Sequence, residues 1–193
     1  MIIGITGGTG CGKTTLLEAI SQCGGRVIDC DRVYHEMLAT DKALVETIGN
    51  RFSGCVTDGV LDRKRLGAVV FADRDALLEL NAITHTAVKN KVLEILKDSP
   101  ALAAIDAIAL FESGIAQLCD ITVAVVAPTE SRVQRLTVRD GIDADYAKKR
   151  IAAQPDNDYF SGLCRYTLVN DGTAEEFQKK CLAFLQELGI MKL

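Results

Sequence analysis

The stretch GGTGCGKT at residues 7–14 decides the fold of this chain. It matches the phosphate-loop pattern G-x-x-x-x-G-K-[ST] at every required position, between an apolar run, Ile2–Thr6, and a segment of helical periodicity, Thr14–Ser21. In such a loop the glycines let backbone N–H groups surround phosphate oxygens, and the helix that follows adds the positive end of its dipole. The stretch therefore predicts a nucleotide phosphate site on a strand–loop–helix unit.

Two side chains of this loop have expected chemical roles. The Lys13 ammonium is expected to reach the β- and γ-phosphates of ATP, and the Thr14 hydroxyl is expected to ligate Mg²⁺. The rest of the loop completes the expected ATP site through its backbone. The ATP-binding residues predicted there are Gly8, Thr9, Gly10, Cys11, Gly12, Lys13, Thr14 and Thr15.

Further apolar runs predict the other strands of a sheet. Segments of helical periodicity, such as residues 174–188, lie between them or follow them. Strands that are apolar on both faces and alternate with helices indicate an α/β fold with a parallel sheet, here of the P-loop NTPase type. After Ile2–Thr6, the predicted strands are Arg26–Asp29, Leu102–Ile108, Ile121–Ala127 and Arg165–Val169.

One long segment interrupts the alternation. From about residue 41 to residue 100 the pattern is almost only helical, with turns expected at Ser53-Gly54 and Asp58-Gly59. The segment is too long for a simple crossover, so we expect a helical insertion in a single domain whose core is formed by residues 1–40 and 101–193. Open α/β sheets bind ligands beyond the carboxyl ends of their strands, so the insertion is expected to bind the acceptor.

Composition excludes several classes of protein. The chain has 193 residues, of which 48% are apolar and 25% charged, as in ordinary globular domains. Its net charge of −4 argues against a dedicated nucleic-acid binder. No apolar run approaches the roughly 20 residues that a membrane helix needs, so we expect neither nucleic acid nor a membrane as a partner. Seven scattered cysteines and two histidines argue against a zinc site and favour a reducing cytoplasm.

A phosphate loop alone does not separate GTPases, motors and small-molecule kinases. The guanine-reading signature Asn-Lys-x-Asp is matched only as far as Asn90-Lys91, because Leu93 stands in the place of the aspartate. The short chain and its single insertion favour a small-molecule or nucleotide kinase. A regulatory module that binds nucleotide without making a phosphorylated product is the alternative from another class.

Two carboxylates stand at the carboxyl end of the second predicted strand. Asp29 and Asp31 follow the apolar pair Val27-Ile28, and an acid at this place can accept the proton of an acceptor hydroxyl or hold a water on Mg²⁺. Asp31 is the favoured general base, and the alternative is that it caps a helix beginning near Arg32. Asp106 ends another apolar strand, where it either assists Mg²⁺ through water or caps local structure.

Residues 129–154 differ in charge from the rest of the chain, because their basic residues outnumber their acidic ones. Arg132, Arg135 and Arg139 are spaced i, i+3 and i+7, so they share one helix face. Two helices with a turn at Gly141 would form a lid that folds over ATP and delivers positive charge. Arg139 is the favoured phosphate clamp, Arg135 comes next and Arg132 last; the alternative is a solvated basic face.

Several motifs then make the chain recognisable over nearly its whole length. They are GITGGTGCGKTT at 4–15, VIDCD at 27–31 followed by Tyr34-His35, DGVLDR at 58–63, VFAD at 70–73, LNAITH at 80–85, LFESG at 110–114, RDG at 139–141, RIAAQ at 150–154 and NDG at 170–172. The set resembles the bacterial dephospho-CoA kinases, which use ATP to phosphorylate the ribose 3′-hydroxyl of dephospho-CoA in the last step of coenzyme A synthesis. Departures from the family pattern include Thr86, where proline is usual, and Cys11, where serine is usual.

The resemblance implies roles for residues outside the loop. Asp31 looks like the general base for the ribose hydroxyl and, with Arg63 and His85, like part of the dephospho-CoA site. Arg139 would steady the charge on the phosphoryl group that is transferred. Asp31 or Asp106 would assist Mg²⁺ through water. For Arg63 a surface ion pair, and for His85 simple packing in a helix, are the alternatives.

Overall fold

The structure is a computed structural model, and it describes residues 1–191. The strands are β1 (Ile2–Thr6), β2 (Arg26–Asp29), β3 (Val56–Thr57), β4 (Val60–Leu61), β5 (Ala103–Asp106), β6 (Ile121–Val126) and β7 (Tyr166–Val169). The helices are α1 (Lys13–Gln22), α2 (Cys30–Thr40), α3 (Lys42–Arg51), α4 (Arg63–Ala72), α5 (Arg74–Lys97), α6 (Thr129–Asp140), α7 (Ala144–Ala152), α8 (Asn157–Leu163) and α9 (Ala174–Glu187). A 3₁₀ turn covers Ile115–Leu118.

Five strands form one sheet in the order β2-β5-β1-β6-β7. The pairs β1–β5, β1–β6 and β6–β7 are parallel, so the predicted α/β fold is confirmed. Register places Ile5 beside Asp106 and Thr6 beside Ala124. Because parallel strands end at the same edge, the loop that leaves β1 and the carboxylate that ends β5 meet there.

The hydrophobic core around this sheet holds the strand and the helix on either side of the phosphate loop in place. Side chains of β1 and β6, such as Ile3, Ile5 and Val123, are fully buried and belong to the same core cluster as Leu16 of α1 and Phe177 of α9. Each fully buried side chain of this size contributes about 1.5–3 kcal/mol to folding. The cluster therefore anchors both arms of the phosphate loop, the strand that enters it and the helix that leaves it.

Contacts divide the chain into two units. The first comprises residues 1–28, 99–111 and the chain from 115 onward, and the second comprises residues 29–98 and 112–114. Helix α2, which the sequence assigned to the core, belongs to the second unit. Among residues 1–191, no helix is both long enough and apolar enough to cross a membrane.

The second unit consists of α2 to α5 and a short hairpin. Aspartates cap its helices: Asp29, Asp41, Asp62 and Asp73 each accept a backbone N–H in the first turn. The sequence expectation of an almost purely helical segment was wrong between residues 56 and 61, where β3 and β4 pair antiparallel. Asp58 and Gly59 both have positive φ, 51° and 76°, which is the backbone of the tightest hairpin turns. Strands of two residues are too short to show periodicity.

Candidate active site

The phosphate loop turns in a conformation that only glycine adopts without strain. Gly10 and Gly12 have φ of 77° and 96°, in the left-handed region. A side chain at Gly12 would also collide with the Asn170 amide nitrogen. Gly12 precedes α1, and no side chain in the described part of the chain caps that helix. Its first turn therefore keeps backbone N–H groups for an anion.

The loop forms one wall of a cavity of about 610 Å³ in the first unit. The other walls come from Asp106 at the end of β5 and from one face of α6. The structure thus brings together the loop, a carboxylate and two of the arginines that the sequence singled out. The lining residues are Gly8, Thr9, Gly10, Cys11, Gly12, Lys13, Thr14, Asp106, Gln134, Arg135, Val138 and Arg139.

Lys13 and Asp106 place opposite charges close together in this cavity. Lys13 Nζ donates to the Gly7 carbonyl at 2.9 Å and lies 3.8 Å from Asp106 Oδ1. Both side chains are largely buried, where screening by water is weaker than at the surface. The ammonium is therefore held at the loop, and Lys13 lines the cavity.

The oxygen donors of the site suit Mg²⁺. Mg²⁺ typically binds one or two protein carboxylates or hydroxyls together with waters and nucleotide phosphates. Thr14 presents an exposed hydroxyl in the first turn of α1, and the Asp106 carboxylate faces the same cavity. Among residues 1–191, no three His, Cys, Asp or Glu side chains cluster as metal ligands. The arrangement fits an ion whose remaining ligands come from the nucleotide and from water.

Three consecutive carbonyls of the loop are each held by a side chain from outside it. Arg132 Nε donates to Thr9 O at 2.9 Å, Arg135 Nη1 to Gly10 O at 3.2 Å, and Asn170 Nδ2 to Cys11 O at 2.9 Å. Because C=O and the following N–H point to opposite sides of a planar peptide, these contacts also orient the N–H groups of the loop. Sequence reasoning ranked Arg132 last, whereas the structure buries it against the loop at 3% exposure.

Asn170 is a site residue that the sequence pattern alone did not single out. Its Oδ1 accepts from Arg135 Nη2 at 2.8 Å, and its own N–H donates to Val126 O. It lies just after β7 and is the first residue of the NDG motif, so that motif was the available signal. Asn170 thus links α6 and the loop through its side chain, and β6 through its backbone N–H.

Arg139 lines the cavity from the end of α6. Its Nε donates to Asp140 Oδ1 at 2.6 Å and its Nη2 to Oδ2 at 3.1 Å, while Arg150 Nη1 reaches Oδ2 at 2.7 Å. The hydrogen bond from Arg139, joined by Arg150, lowers the pKa of Asp140 to about 2. The Arg139 side chain is 59% exposed, so its ion pair is weak and leaves the guanidinium free to reorient.

The remaining predicted residues belong to the second unit. Asp29 accepts the Arg32 N–H at 3.0 Å and is the cap of α2, so the alternative that Asp31 is the cap was wrong. Asp31 is exposed in the first turn of α2. Arg63 begins α4, and its Nη1 lies 3.3 Å from His35 Nδ1. Desolvation raises the pKa of Tyr34, and the Arg63 charge partly opposes that shift.

His85 lies on α5, partly buried, beside the buried Thr84. The hydroxyl of Thr84 donates to the Leu80 carbonyl one turn earlier, at 2.9 Å. Within the second unit, Arg63 of α4 contacts His35 of α2, whereas His85 lies on a separate helix, α5.

Comparison with known proteins decides the family. The family model described as dephospho-CoA kinase matches residues 1–176. The chain belongs to the dephospho-CoA kinase family. It is 32% identical to the dephospho-CoA kinase of Carboxydothermus hydrogenoformans, over 96% of this chain and 93% of that protein. It is 34% identical to that of Geobacter metallireducens, over 97% and 96%. The resemblance inferred from the sequence is confirmed, and the chain is a kinase.

Solved structures agree with this family assignment. The dephospho-CoA kinase from Campylobacter jejuni superposes with a TM-score of 0.68 at 26% identity, covering 98% of both chains. The protein TT1252 from Thermus thermophilus has a TM-score of 0.80 at 31% identity, covering 97% of both chains. A shikimate kinase from Bacteroides thetaiotaomicron, at 18% identity and a TM-score of 0.54, shares the fold.

Proposed function

We propose that this chain transfers the γ-phosphoryl group of ATP to the ribose 3′-hydroxyl of dephospho-CoA, giving ADP and coenzyme A. The observation that carries the proposal is the cavity that joins the phosphate loop, Asp106, Arg135 and Arg139. Family membership supplies the acceptor, because the relatives are dephospho-CoA kinases. Making coenzyme A in this way is the last step of its synthesis.

The ATP site is assigned to the loop and to α6. Backbone N–H groups of residues 8–15 would bind the phosphates, and Lys13 would lie beside the β- and γ-phosphates. Arg135 and Arg139 would add positive charge from the opposite wall, as the lid hypothesis for residues 129–154 requires. During transfer, the Arg139 guanidinium would leave Asp140 and bind the phosphoryl group, on which negative charge develops.

The acceptor site is assigned to the second unit. Asp31, exposed in the first turn of α2 and not used as its cap, is the proposed general base that takes the proton from the ribose hydroxyl. Arg63 and His85 are the proposed contacts to dephospho-CoA, with Arg63 suited to a diphosphate because its guanidinium offers several donors.

Mg²⁺ is proposed as the metal that accompanies ATP. Thr14 would hold it directly, and Asp106 or Asp31 through water. When bound, it neutralises phosphate charge and favours departure of ADP. All seven cysteines carry free thiols, and a reducing cytoplasm is the compartment that we propose.

Mass spectrometry of the products tests the function directly. The protein is incubated with ATP, Mg²⁺ and dephospho-CoA, and coenzyme A is expected with the native chain and absent with Lys13→Ala. Release of ADP without coenzyme A would support the proposed ATP site and contradict dephospho-CoA as the acceptor. Other nucleotides would then be screened as acceptors. ATP-dependent binding of a partner without any phosphorylated product would favour the regulatory module.

A further inference from the structure

Arg132 and Gln154 hold the same residue of the phosphate loop from two sides. Arg132 Nε donates to the Thr9 carbonyl at 2.9 Å, and the Thr9 N–H donates to Gln154 Oε1 at 2.7 Å. Arg132 lies in the first turn of α6, and Gln154 follows the end of α7. The α6–α7 pair is therefore attached to Thr9 at both of its ends.

The two helices form one packed element. Leu136 of α6 and Ala147 and Ile151 of α7 make a small buried core of their own. Because packed side chains resist small displacements, a shift of either helix is transmitted to Thr9 through these two hydrogen bonds. The position of the α6–α7 pair and the shape of the loop are thus coupled.

Arg132 also places a buried positive charge, without an ion-pair partner among the described residues, against the phosphate loop. Its side chain is 3% exposed, its Nη2 has no hydrogen-bond partner, and it makes no ion pair within the part of the chain that the structure describes. A side chain at Gly8 would collide with this Nη2, so only glycine lets the guanidinium approach the loop so closely. Burying an unpaired cation is unfavourable, and an anion on the other side of Gly8 would compensate it.

We propose that Arg132 and Gln154 are positioning residues of the phosphate site. They act through Thr9 and do not contact the nucleotide. Gln154 fixes the position of the Thr9 peptide, and Arg132 adds a buried positive charge that favours the binding of polyphosphates. This inference rests on the proposed ATP site. It predicts that replacing Arg132 lowers nucleotide affinity by a factor that depends on the charge of the nucleotide, whereas replacing Gln154 lowers it by a factor that does not.

The test compares ATP and ADP affinities by isothermal titration calorimetry. Gln154→Met keeps the length of the side chain and removes the acceptor, and Arg132→Met removes both the donor and the charge. Ile151→Val is the matched control, because it removes one methyl group from the α6–α7 core and keeps both hydrogen bonds to Thr9. Thermal unfolding is recorded for each variant, so that loss of stability is separated from loss of affinity.

Gln154→Met is expected to weaken ATP and ADP binding alike, by about tenfold. Arg132→Met is expected to weaken ATP binding more than ADP binding, because the buried charge is weakly screened and attracts the more highly charged nucleotide more strongly. Arg132→Lys, which keeps the charge, should recover most of the difference between ATP and ADP. Ile151→Val should bind both nucleotides within about twofold of the native chain.

Contrary results would separate this inference from the proposed function. Native protein that fails to bind ATP would overturn the proposed ATP site and the inference with it. Native binding with unchanged affinities in Gln154→Met and Arg132→Met, or losses no greater than in Ile151→Val, would overturn the inference alone. If Arg132→Met does not fold, Gln154→Met and Arg132→Lys decide: native affinities in the first variant, or loss of the ATP-over-ADP preference in the second although it keeps the charge, would refute the inference.

Discussion

Asn170 holds the phosphate loop from a place 159 residues further along the chain, by a hydrogen bond of 2.9 Å from its Nδ2 to the Cys11 carbonyl. The same side chain accepts from Arg135 at 2.8 Å and is 4% exposed. A buried amide with both ends satisfied orders its neighbours strongly. The residue that follows β7 therefore helps to shape the phosphate loop, together with the loop's own glycines.

Replacing Asn170 by alanine should weaken both the fold and ATP binding. The Cys11 carbonyl and one Arg135 donor would lose their partner in a buried place, which costs about 1–3 kcal/mol. Urea unfolding and ATP titration measure the two losses. The control is Asn90→Ala at an exposed position of α5, expected within about 0.5 kcal/mol of native. Equal behaviour of the two variants would contradict the network.

Gly12→Ala should abolish ATP binding, whereas Gly24→Ala should not. Both glycines have positive φ, 96° and 79°, so both substitutions strain the backbone by about 1 kcal/mol or more. At Gly12 the new methyl would also collide with Asn170, while nothing lies within 4 Å of it at Gly24. Calorimetric titration of ATP gives the comparison, and ATP binding by Gly12→Ala would show that the loop tolerates the added carbon.

Asp31→Asn should remove most turnover and leave stability unchanged. Loss of a general base lowers kcat by about 10²–10⁴-fold, and Asp31 is exposed and does not cap α2. Asp29→Ala is the matched variant: it removes the cap and should cost about 1 kcal/mol of unfolding free energy. Coupled ADP release and thermal unfolding distinguish them. A destabilised Asp31→Asn protein would make that residue structural.

The Asp140 carboxylate should titrate near pH 2. Its pKa is lowered from 3.8 to about 2, first by the hydrogen bond from Arg139 and then by Arg150. A lowered pKa in the folded state means that the ionised carboxylate stabilises the fold above about pH 4, and that this contribution is lost as the pH falls towards 2. Carbon-detected NMR of the native chain should show the low midpoint.

Arg139→Gln is the companion variant for this titration. It should raise the pKa of Asp140 part of the way towards 3.8, because Arg150 still donates to Oδ2 at 2.7 Å. An unchanged midpoint would mean that Arg139 does not hold the carboxylate in solution and is already oriented towards the cavity.

Local sequence determined the elements and the loop. Glycine spacing, the apolar run before it and the helical run after it define the phosphate loop within about twenty consecutive residues, and the five predicted sheet strands lie where the structure has them. These features depend on neighbours in the chain, so composition and periodicity reveal them. The hairpin at residues 56–61 was not predicted from the sequence, because its strands are too short to show an alternating pattern.

Tertiary structure alone decided what holds the loop. Arg132 shares the helix-face spacing of Arg135 and Arg139, yet it is the one buried against Thr9 while Arg139 is exposed beside Asp140. Spacing reports which face of a helix a residue occupies, whereas burial depends on how far along the helix the phosphate loop crosses it. Asn170 and Gln154 reach the loop from more than a hundred residues away. Such contacts follow from the order of the strands in the sheet, which no local pattern encodes.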